Sequence, residues 1–501
     1  MVTTITAPPT TTTTSTTTTT TTVPLPPFDP LGATIPEMQQ AMEENRLTAL
    51  DLVDFYLERI ATYDDTFNAF VTINPEARTE AIRLDEERAA TGPRGPLHGI
   101  PIVLKDNINT LDMPTTAGSA ALAGFIPTDD AFQAARLRAA GAIILGKVNM
   151  QEWARSIHSN SSVTGRTLSP YEIDRNVGGS SGGTAVAVTT AMAAAGLGSD
   201  TCGSIRVPSA YNSLFGLRPT IGLSSRSGVI PLSPSEDTVG PMARTVVDLA
   251  VLLDATAGSD PDDPVTAGAD DWLPRSYLDF IDPDGLAGAR IGVIDSLFGA
   301  PGPVSTATRA ALDRMEAAGA TIVHLEIPNR SSLLGNATSV FLREWGLATE
   351  DYFARYTDAP IDSLDDVLAS GEHLTENRQR LQRAVGVTTL DTTEYRQALD
   401  ARQNAAAVVT ALLDDHDLDA FAYPSIQNTA ARNGVEQQGN NCATASVSGM
   451  PALSVPAGLD STGMPVGLDL LGRAFDEGTL IRLASGYEAA VDPRVEPVLE
   501  P

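Results

Sequence analysis

Two short apolar strands, each followed by a lysine, most tightly limit the fold that this chain can adopt. Residues 100–104 have the pattern of a buried strand that ends on Lys105, and residues 142–145 have the pattern of a second strand that leads to Lys147. A helical stretch near residues 131–140 lies between them. Strand, helix and strand in this order are typical of an α/β sheet, in which ligands bind at the carboxyl ends of the strands. Further strands are predicted at residues 290–294, 321–325, 420–423 and 453–455.

Lysine is rare in this chain. Of the 33 basic residues only Lys105 and Lys147 are lysines, and the others are arginines. A genome biased toward arginine would explain most of this imbalance. Arginine cannot lose its proton inside a protein, however, whereas a desolvated lysine can do so and act as a base. Both lysines are therefore candidates for a chemical role.

The charge balance argues against polyanionic partners. The net charge of −30 repels nucleic-acid phosphates and anionic membrane surfaces, so we expect neither as a partner. Two cysteines, Cys202 and Cys442, are too few for a disulfide scaffold or a multi-cysteine metal centre. The chain has 501 residues, of which 42% are apolar, enough for a large globular core. The expected partner is a small molecule.

The composition divides the chain into a tail and a body. Residues 1–27 are rich in threonine and proline and predict a disordered linker. Residues 28–501 are expected to form one folded domain, with a mostly helical, acidic, cap-like region at about 330–415. Tracts of this kind usually follow a secretion signal, which suggests a secreted or extracellular protein whose signal peptide has been removed; a cytoplasmic protein is the alternative.

A glycine- and serine-rich segment carries the chemistry. It comprises residues 178–184, an alanine-rich stretch predicted to be a helix, and residues 198–206. A phosphate-binding Walker loop would need Lys-Ser or Lys-Thr after its last glycine, and Thr-Ala follows here. A nucleophile elbow at residues 178–182 would need an apolar strand before it, and the preceding residues are polar. The elbow would also need a histidine as its base, and the later histidines, His324, His373 and His416, lie in ordinary surface or strand segments.

The third interpretation combines two serines with a lysine. A serine hydroxyl attacks an amide only when a neighbouring group takes its proton, and a buried neutral lysine can be that group. A second serine can relay the proton, and N–H groups of a glycine-containing turn can hold the oxyanion. Ser180, Ser204 and Lys105 supply this set. The structural alternatives are a flexible linker at residues 178–183 and a helix cap at Ser204.

These segments resemble the amidase signature family of Ser–Ser–Lys amide hydrolases. The resemblance extends over residues 35–490, approximately, and includes the segments 97–108, 141–152, 178–206, 215–222, 237–241 and 449–456. The order of these segments is most similar to exported bacterial enzymes of the peptide-amidase branch. The resemblance implies a single large α/β domain in which helices flank a mixed, twisted β-sheet, and an enzyme that needs no cofactor or metal.

The resemblance also implies residue roles. Ser204 is expected to be the nucleophile, Ser180 the bridging serine after a cis peptide bond, and Lys105 the base. Lys147 is expected to be structural and paired with a buried acid. The expected oxyanion donors are Thr201, Cys202 and Gly203, with Ser204 itself, and the expected supporting residues are Ser181, Asp200 and Arg206. Cys202 stands where the family usually has glycine.

The implied reaction is hydrolysis of a carboxylic amide C–N bond through a serine acyl-enzyme. Ester hydrolysis or carbamate hydrolysis, the activity of a urethanase, could accompany it because the acyl-transfer chemistry is shared. Two alternatives stay open: one component of a tRNA-dependent amidotransferase, and a non-catalytic cell-surface module on a threonine-rich stalk. The sequence does not predict the oligomeric state.

The resemblance further implies that the two cysteines are neighbours. In the family, the segments that hold Cys202 and Cys442 both border the floor of the active site. A disulfide and two unrelated buried thiols are both compatible with the sequence.

Overall fold

A central sheet of eleven strands organises the residues that the computed structural model describes, which are 1–7, 9–10, 28–335 and 340–499. A separate two-stranded sheet pairs residues 160–161 with residues 165–166. Numbered along the chain, the strands are β1 Phe70–Ile73, β2 Pro101–Lys105, β3 Ile143–Val148, β4 Asn160–Ser161, β5 Gly165–Arg166, β6 Ala195–Asp200, β7 Phe215–Arg218, β8 Thr238–Ala243, β9 Arg290–Ile294, β10 Thr321–Leu325, β11 Ala420–Pro424, β12 Ala452–Leu459 and β13 Pro465–Leu471.

Helices pack around the sheet. They are α1 Ile35–Glu43, α2 Ala49–Phe67, α3 Ala77–Thr91, α4 Phe132–Ala139, α5 Gly182–Thr189, α6 Arg206–Tyr211, α7 Val246–Thr256, α8 Pro303–Ala317, α9 Arg330–Gly335, α10 Val340–Phe353, α11 Leu364–Ser370, α12 Arg378–Val385, α13 Thr393–Asp415, α14 Ala443–Ser448 and α15 Glu477–Val491. Among the helices described, none is long and apolar enough to cross a membrane.

The sheet is mixed, with parallel strands toward both ends and antiparallel strands in the middle. Its order is β1-β3-β2-β6-β8-β7-β12-β13-β11-β9-β10. The neighbours β3, β2 and β6 are parallel, as are β11, β9 and β10, and the other pairs are antiparallel. The predicted fold class, a large mixed sheet flanked by helices, is confirmed.

Five strands of the sheet were not predicted from the sequence, namely β1, β6, β7, β8 and β13, and β6 lies where a helix was expected. The alanine-rich stretch after residue 184 was expected to be a helix, but the helix ends at Thr189 and β6 begins at Ala195. This strand lies between β2 and β8, and all its residues are buried. A Cβ atom on Gly196 would lie 2.7 Å from a Val103 side-chain atom, and one on Gly198 would lie 2.8 Å from the Ser181 hydroxyl. Small residues here serve close strand packing, which overrides the helical propensity of alanine.

The helical region predicted at about 330–415 contains α9 to α13 in its described residues. From α10, Phe341 lines the same cavity as Ser204, and Tyr352 lines a larger neighbouring cavity. The predicted linker, residues 1–27, lies mostly outside the described residues, which omit residues 8 and 11–27.

Candidate active site

Lys105 ends β2 in a fully buried position. Its Nζ atom lies 2.7 Å from Ser180 Oγ, 2.8 Å from Ser199 Oγ and 3.2 Å from the Ser199 carbonyl oxygen. Burial lowers the pKa of Lys105 to about 7, although the negative charges of Asp200 and Asp237 oppose the shift. A lysine with this pKa is partly neutral at neutral pH, so it can accept a proton.

A register shift separates the two lysines. Ile102 of β2 pairs with Ile144 of β3, but the next pair is Val103 with Gly146, so one residue of β3 is left without a partner. As a result Leu104 pairs with Lys147, and Lys105 pairs with Val148. Because side chains alternate along a strand, the two lysines point to opposite faces of the sheet.

Lys147 lies in a different buried environment from Lys105. Its Nζ atom is 3.3 Å from Asp106 Oδ1 and 2.6 Å from Thr115 Oγ1, and both members of the ion pair are fully buried. The expected pairing with a buried acid is therefore present. Its place on the other face separates Lys147 from the Lys105–Ser180 contact.

Replacing Lys147 by alanine is expected to destabilise the protein by roughly 3–5 kcal/mol, because Asp106 would keep a buried charge without a partner. Denaturant unfolding measures the loss, and turnover per folded molecule should stay near that of the parent. The double variant Lys147→Met with Asp106→Asn is the control and should recover part of the stability. A loss of turnover without loss of stability in Lys147→Ala would contradict the structural role.

The two candidate serines lie on adjacent segments. Ser180 follows a cis Gly179–Ser180 peptide bond just before α5, and Ser204 lies just before α6. The Ser181 N–H donates to the Ser204 carbonyl oxygen at 3.2 Å and holds the two segments together. Ser204 lines a cavity of about 130 Å³, and its hydroxyl makes no hydrogen bond within the described residues. The hydroxyl is thus available to a ligand in the cavity.

Asp200 braces the turn that leads to Ser204. Its carboxylate accepts from the Gly203 N–H at 2.7 Å and the Ile205 N–H at 3.1 Å, and it pairs with Arg206 and Arg218. Burial alone would raise the pKa of Asp200, but the two guanidinium groups and the backbone N–H group of Ile205 lower it below its ordinary value. The carboxylate therefore stays ionised and fixes the turn. Arg206 also pairs with Asp469, at 2.8 Å.

The turn presents fewer N–H groups to the cavity than the sequence suggested. Gly203 was expected to donate to an oxyanion, but the structure gives its N–H to Asp200 because the carboxylate needs that donor to brace the turn. Within the described residues the N–H groups of Thr201, Cys202 and Ser204 make no hydrogen bond. These three are the donors left for a substrate oxygen.

The backbone conformation at residue 203 favours glycine. Its φ of +90° is disfavoured for residues with a side chain, and a Cβ atom there would lie 3.1 Å from the Cβ atom of Cys442. The glycine lets the turn pass close to the segment that carries the second cysteine.

Cys202 and Cys442 are joined by a disulfide in the structure. The bond ties the turn before Ser204 to the start of α14, which begins at Ala443. The expected proximity of the two cysteines is thus observed. Of the four turn residues predicted as oxyanion donors, Cys202 is the one that the bond anchors directly.

We expect thiol titration of the denatured, unreduced protein to detect no free thiol, because both cysteines are paired. Reduction should lower the free energy of unfolding by roughly 3–5 kcal/mol, since it reopens a long loop of the unfolded chain. The double variant Cys202→Ser with Cys442→Ser is the control, and reductant should not change its stability. Two titratable thiols in the unreduced protein would contradict the pairing.

Two further residues of the site were not singled out from the sequence. Ser199 accepts from Lys105 and also from Asn107 Nδ2, at 3.1 Å. Asp237 accepts from the Thr201 hydroxyl at 2.5 Å and from the N–H groups of Leu232 and Ser233. Ser199 lies directly before Asp200 in the sequence, but its role was not recognised because strand β6, which contains it, was not predicted.

A buried lysine that contacts a serine, close to an accessible second serine and a turn with free N–H groups, is suited to acyl transfer. Such an arrangement on a mixed α/β sheet is typical of the hydrolase class. Comparison with known proteins gives the family: the chain belongs to the amidase family, whose model matches residues 51–481. It is accordingly a hydrolase of amide C–N bonds.

Individual relatives cover nearly the whole chain. The native peptide amidase of Stenotrophomonas maltophilia has a similar structure, with 39% identity, a TM-score of 0.86, and coverage of 93% of this chain and 98% of that one. A probable amidase of Arabidopsis thaliana is 34% identical over 93% of this chain and 91% of the relative. One component of the glutamyl-tRNA(Gln) amidotransferase of Thermosynechococcus vestitus is 34% identical over 91% of this chain and 97% of the relative.

Proposed function

We propose that this enzyme hydrolyses carboxylic amides through an acyl-enzyme on Ser204, with Ser180 as the proton relay and Lys105 as the base. The observation that carries the proposal is the 2.7 Å contact between Lys105 Nζ and Ser180 Oγ, in which the lysine is fully buried. A neutral amine at this distance can take the Ser180 proton while Ser180 takes the proton of Ser204. The relay requires the Ser204 hydroxyl to donate to Ser180 Oγ, and within the described residues no other hydrogen bond competes for that hydroxyl.

The remaining steps follow from the turn before Ser204. The Ser204 oxygen attacks the amide carbon, and the N–H groups of Thr201, Cys202 and Ser204 stabilise the oxyanion. The proton returns through Ser180 to the leaving amine, the C–N bond breaks, and the acyl group stays on Ser204. Water then attacks the ester, and the same relay returns the proton to Ser204 and releases the acid. Esters and carbamates would react by the same steps.

Two neighbouring cavities could hold a substrate that has groups on both sides of the reacting carbon. The smaller one contains Ser204, and the larger one, of about 180 Å³, is lined by Asn107, Ser199 and Asp237 among others. Both are lined by Thr201. One cavity can hold the acyl part while the other holds the amine part.

A sulfonyl fluoride and a substrate panel test the proposal together. The reagent should add once to the protein, and peptide mapping should find the adduct on Ser204. Aryl anilides, short aliphatic amides, peptide amides and carbamates should reveal which bonds are cleaved. No adduct and no cleavage of any panel member would overturn the proposal and favour a non-catalytic module.

A role within a tRNA-dependent amidotransferase is the second candidate, since relatives with that name are similar to this chain. The net charge of −30 favours an independent hydrolase because it opposes binding of tRNA. Electrophoretic mobility of tRNA mixed with the protein tests this directly, and a shift at physiological salt would favour the second candidate.

We expect kcat/KM to rise with pH through about 7, because burial lowers the pKa of Lys105 to about that value. Below it the protonated amine cannot accept the Ser180 proton, so the rate should fall about tenfold per pH unit; above it the rate should level off. An anilide without titratable groups is the appropriate substrate. A profile that is flat across this range, or that inflects only near the ordinary lysine value of about 10.4, would contradict the role of Lys105.

We also propose that the protein works in an oxidising compartment and is secreted. The pairing of Cys202 with Cys442 supports this, because structural disulfides persist where thiols are not kept reduced. Fractionation of the source organism, followed by detection of the protein in the medium or in the cells, tests the proposal. Recovery with reduced thiols from the cell interior alone would contradict it.

A further inference from the structure

An arginine lines the cavity that contains Ser204. Arg155 follows a short helical turn after β3, and its side chain borders this cavity together with Ala154, Ile157, Leu232 and Phe341. Among the described residues that line the cavity, Arg155 is the only charged one. The positive charge therefore lies in surroundings that are otherwise apolar or uncharged.

The guanidinium of Arg155 has no anionic partner among the residues that the structure describes. Within the described residues its side chain makes no ion pair and no hydrogen bond, and its Nε atom is buried without a partner. Two aromatic rings hold it in place: its Cζ atom lies 4.9 Å from the ring centre of Phe341 and 5.3 Å from that of Trp345. The group is thus fixed at the cavity while its N–H donors stay unused.

The electrostatic surroundings make this arrangement costly for the free protein. Burial, and next the like charge of Arg380, lower the pKa of Arg155 to about 10. The group still carries its proton at neutral pH, so an uncompensated charge faces the cavity. An unpaired guanidinium is unexpected in a chain with a net charge of −30, because acidic residues are abundant and could have paired with it.

We propose that Arg155 binds a carboxylate of the substrate, so that the preferred substrates are amides that carry a carboxylate close to the scissile bond. This inference rests on the proposed amide hydrolysis at Ser204. A carboxylate matches the planar fork of a guanidinium and would satisfy the unused donors. The aromatic rings beside Arg155 would keep the fork oriented while the ligand binds.

Two matched pairs of anilides test the inference. Succinanilate carries the carboxylate on its acyl part, and butyranilide has a methyl group in its place. para-Acetamidobenzoate carries the carboxylate on its amine part, and para-methylacetanilide has a methyl group there. In at least one pair kcat/KM should favour the charged member by roughly tenfold or more. The pair that shows the preference identifies the part of the substrate that carries the anion.

Variants of Arg155 should remove the preference without abolishing turnover. Arg155→Met should lower the charged-to-neutral ratio roughly 10–100-fold, and because both members are measured on the same variant, a general change in turnover cancels from the ratio. Arg155→Lys should keep part of the preference, because it retains the charge but loses the planar fork. Arg343→Met is the matched control: it removes the same charge from α10, outside the residues that line the cavity, and should leave the ratio unchanged.

Binding to Ser204→Ala separates this inference from the proposed function. Calorimetry should show that this variant binds the preferred charged anilide, and that adding Arg155→Met weakens binding by a similar factor. Arg155-dependent binding without any turnover by the parent would leave the carboxylate site standing and overturn the hydrolysis. Turnover with no charge preference, or with a preference that survives Arg155→Met or is equally lost in Arg343→Met, would overturn the carboxylate site alone.

Discussion

Replacing Lys105 by alanine is expected to lower kcat for amide hydrolysis by roughly 10²–10⁴-fold, the range that general-base catalysis supplies. The substitution removes the amine 2.7 Å from Ser180 Oγ and leaves the proton of that hydroxyl without an acceptor. It also leaves the Ser199 hydroxyl with one donor fewer, which should cost about 1–3 kcal/mol of stability. Turnover must therefore be compared per folded molecule, with thermal unfolding measured on the same samples.

Lys105→Arg separates charge from proton transfer. Arginine keeps the positive charge in this buried position but cannot become neutral, so this variant should be as inactive as the alanine variant. Lys147→Met is the matched control because it removes the other lysine on the opposite face of the sheet. If Lys105→Arg keeps a substantial part of the parent activity, the amine acts by charge or position rather than as a base.

Local patterns predicted much of the sheet. The strands at 290–294 and 321–325 have the predicted bounds, and those at 100–104, 142–145, 420–423 and 453–455 differ by a few residues at their ends. These segments are short, apolar and bounded by turn residues, so the signal lies within the strand itself. The prediction missed β6 because its small residues are explained only by the atoms that pack against them, such as the Val103 side chain of β2, and this packing is not visible in the local sequence.

The local sequence pattern does not show which face of the sheet each of the two lysines occupies. Both follow apolar strands, and a regular continuation of the Ile102–Ile144 pairing would set Lys105 opposite Lys147 on one face. The extra residue in β3 moves Lys147 to the other face and toward Asp106. Strand register depends on tertiary contacts, so the sequence separated the two lysines only through the resemblance to a family.

The cap region illustrates the same limit for binding residues. Arg155 has no feature in the sequence that marks it out, since arginine is the common basic residue of this chain. Its role emerges only when α10 brings Phe341 and Trp345 against it, and when no carboxylate of the described residues pairs with it. A missing partner is a property of the folded arrangement, and sequence reasoning has no access to it.

Ser204→Ala is expected to lower kcat by roughly 10⁴–10⁶-fold and to abolish the sulfonyl adduct, because the acyl group has no other oxygen to occupy. Ser180→Ala should cost nearly as much in turnover, since Lys105 would lose its contact with the nucleophile. The two variants should nevertheless differ in one respect. Ser180→Ala retains the Ser204 hydroxyl at the cavity and should still form the adduct on Ser204, but more slowly.

The losses of kcat caused by substitutions in groups that act as a unit are not additive, so a double variant tests whether Ser180 and Lys105 form one relay. The double variant Ser180→Ala with Lys105→Ala should be little slower than either single variant, because each single change already breaks the same relay. Ser370→Ala, at an exposed serine, is the control for the substitution itself and should leave turnover unchanged. Multiplicative losses in the double variant would mean that Ser180 and Lys105 act independently, and an adduct mapped to Ser180 would exchange the roles of the two serines.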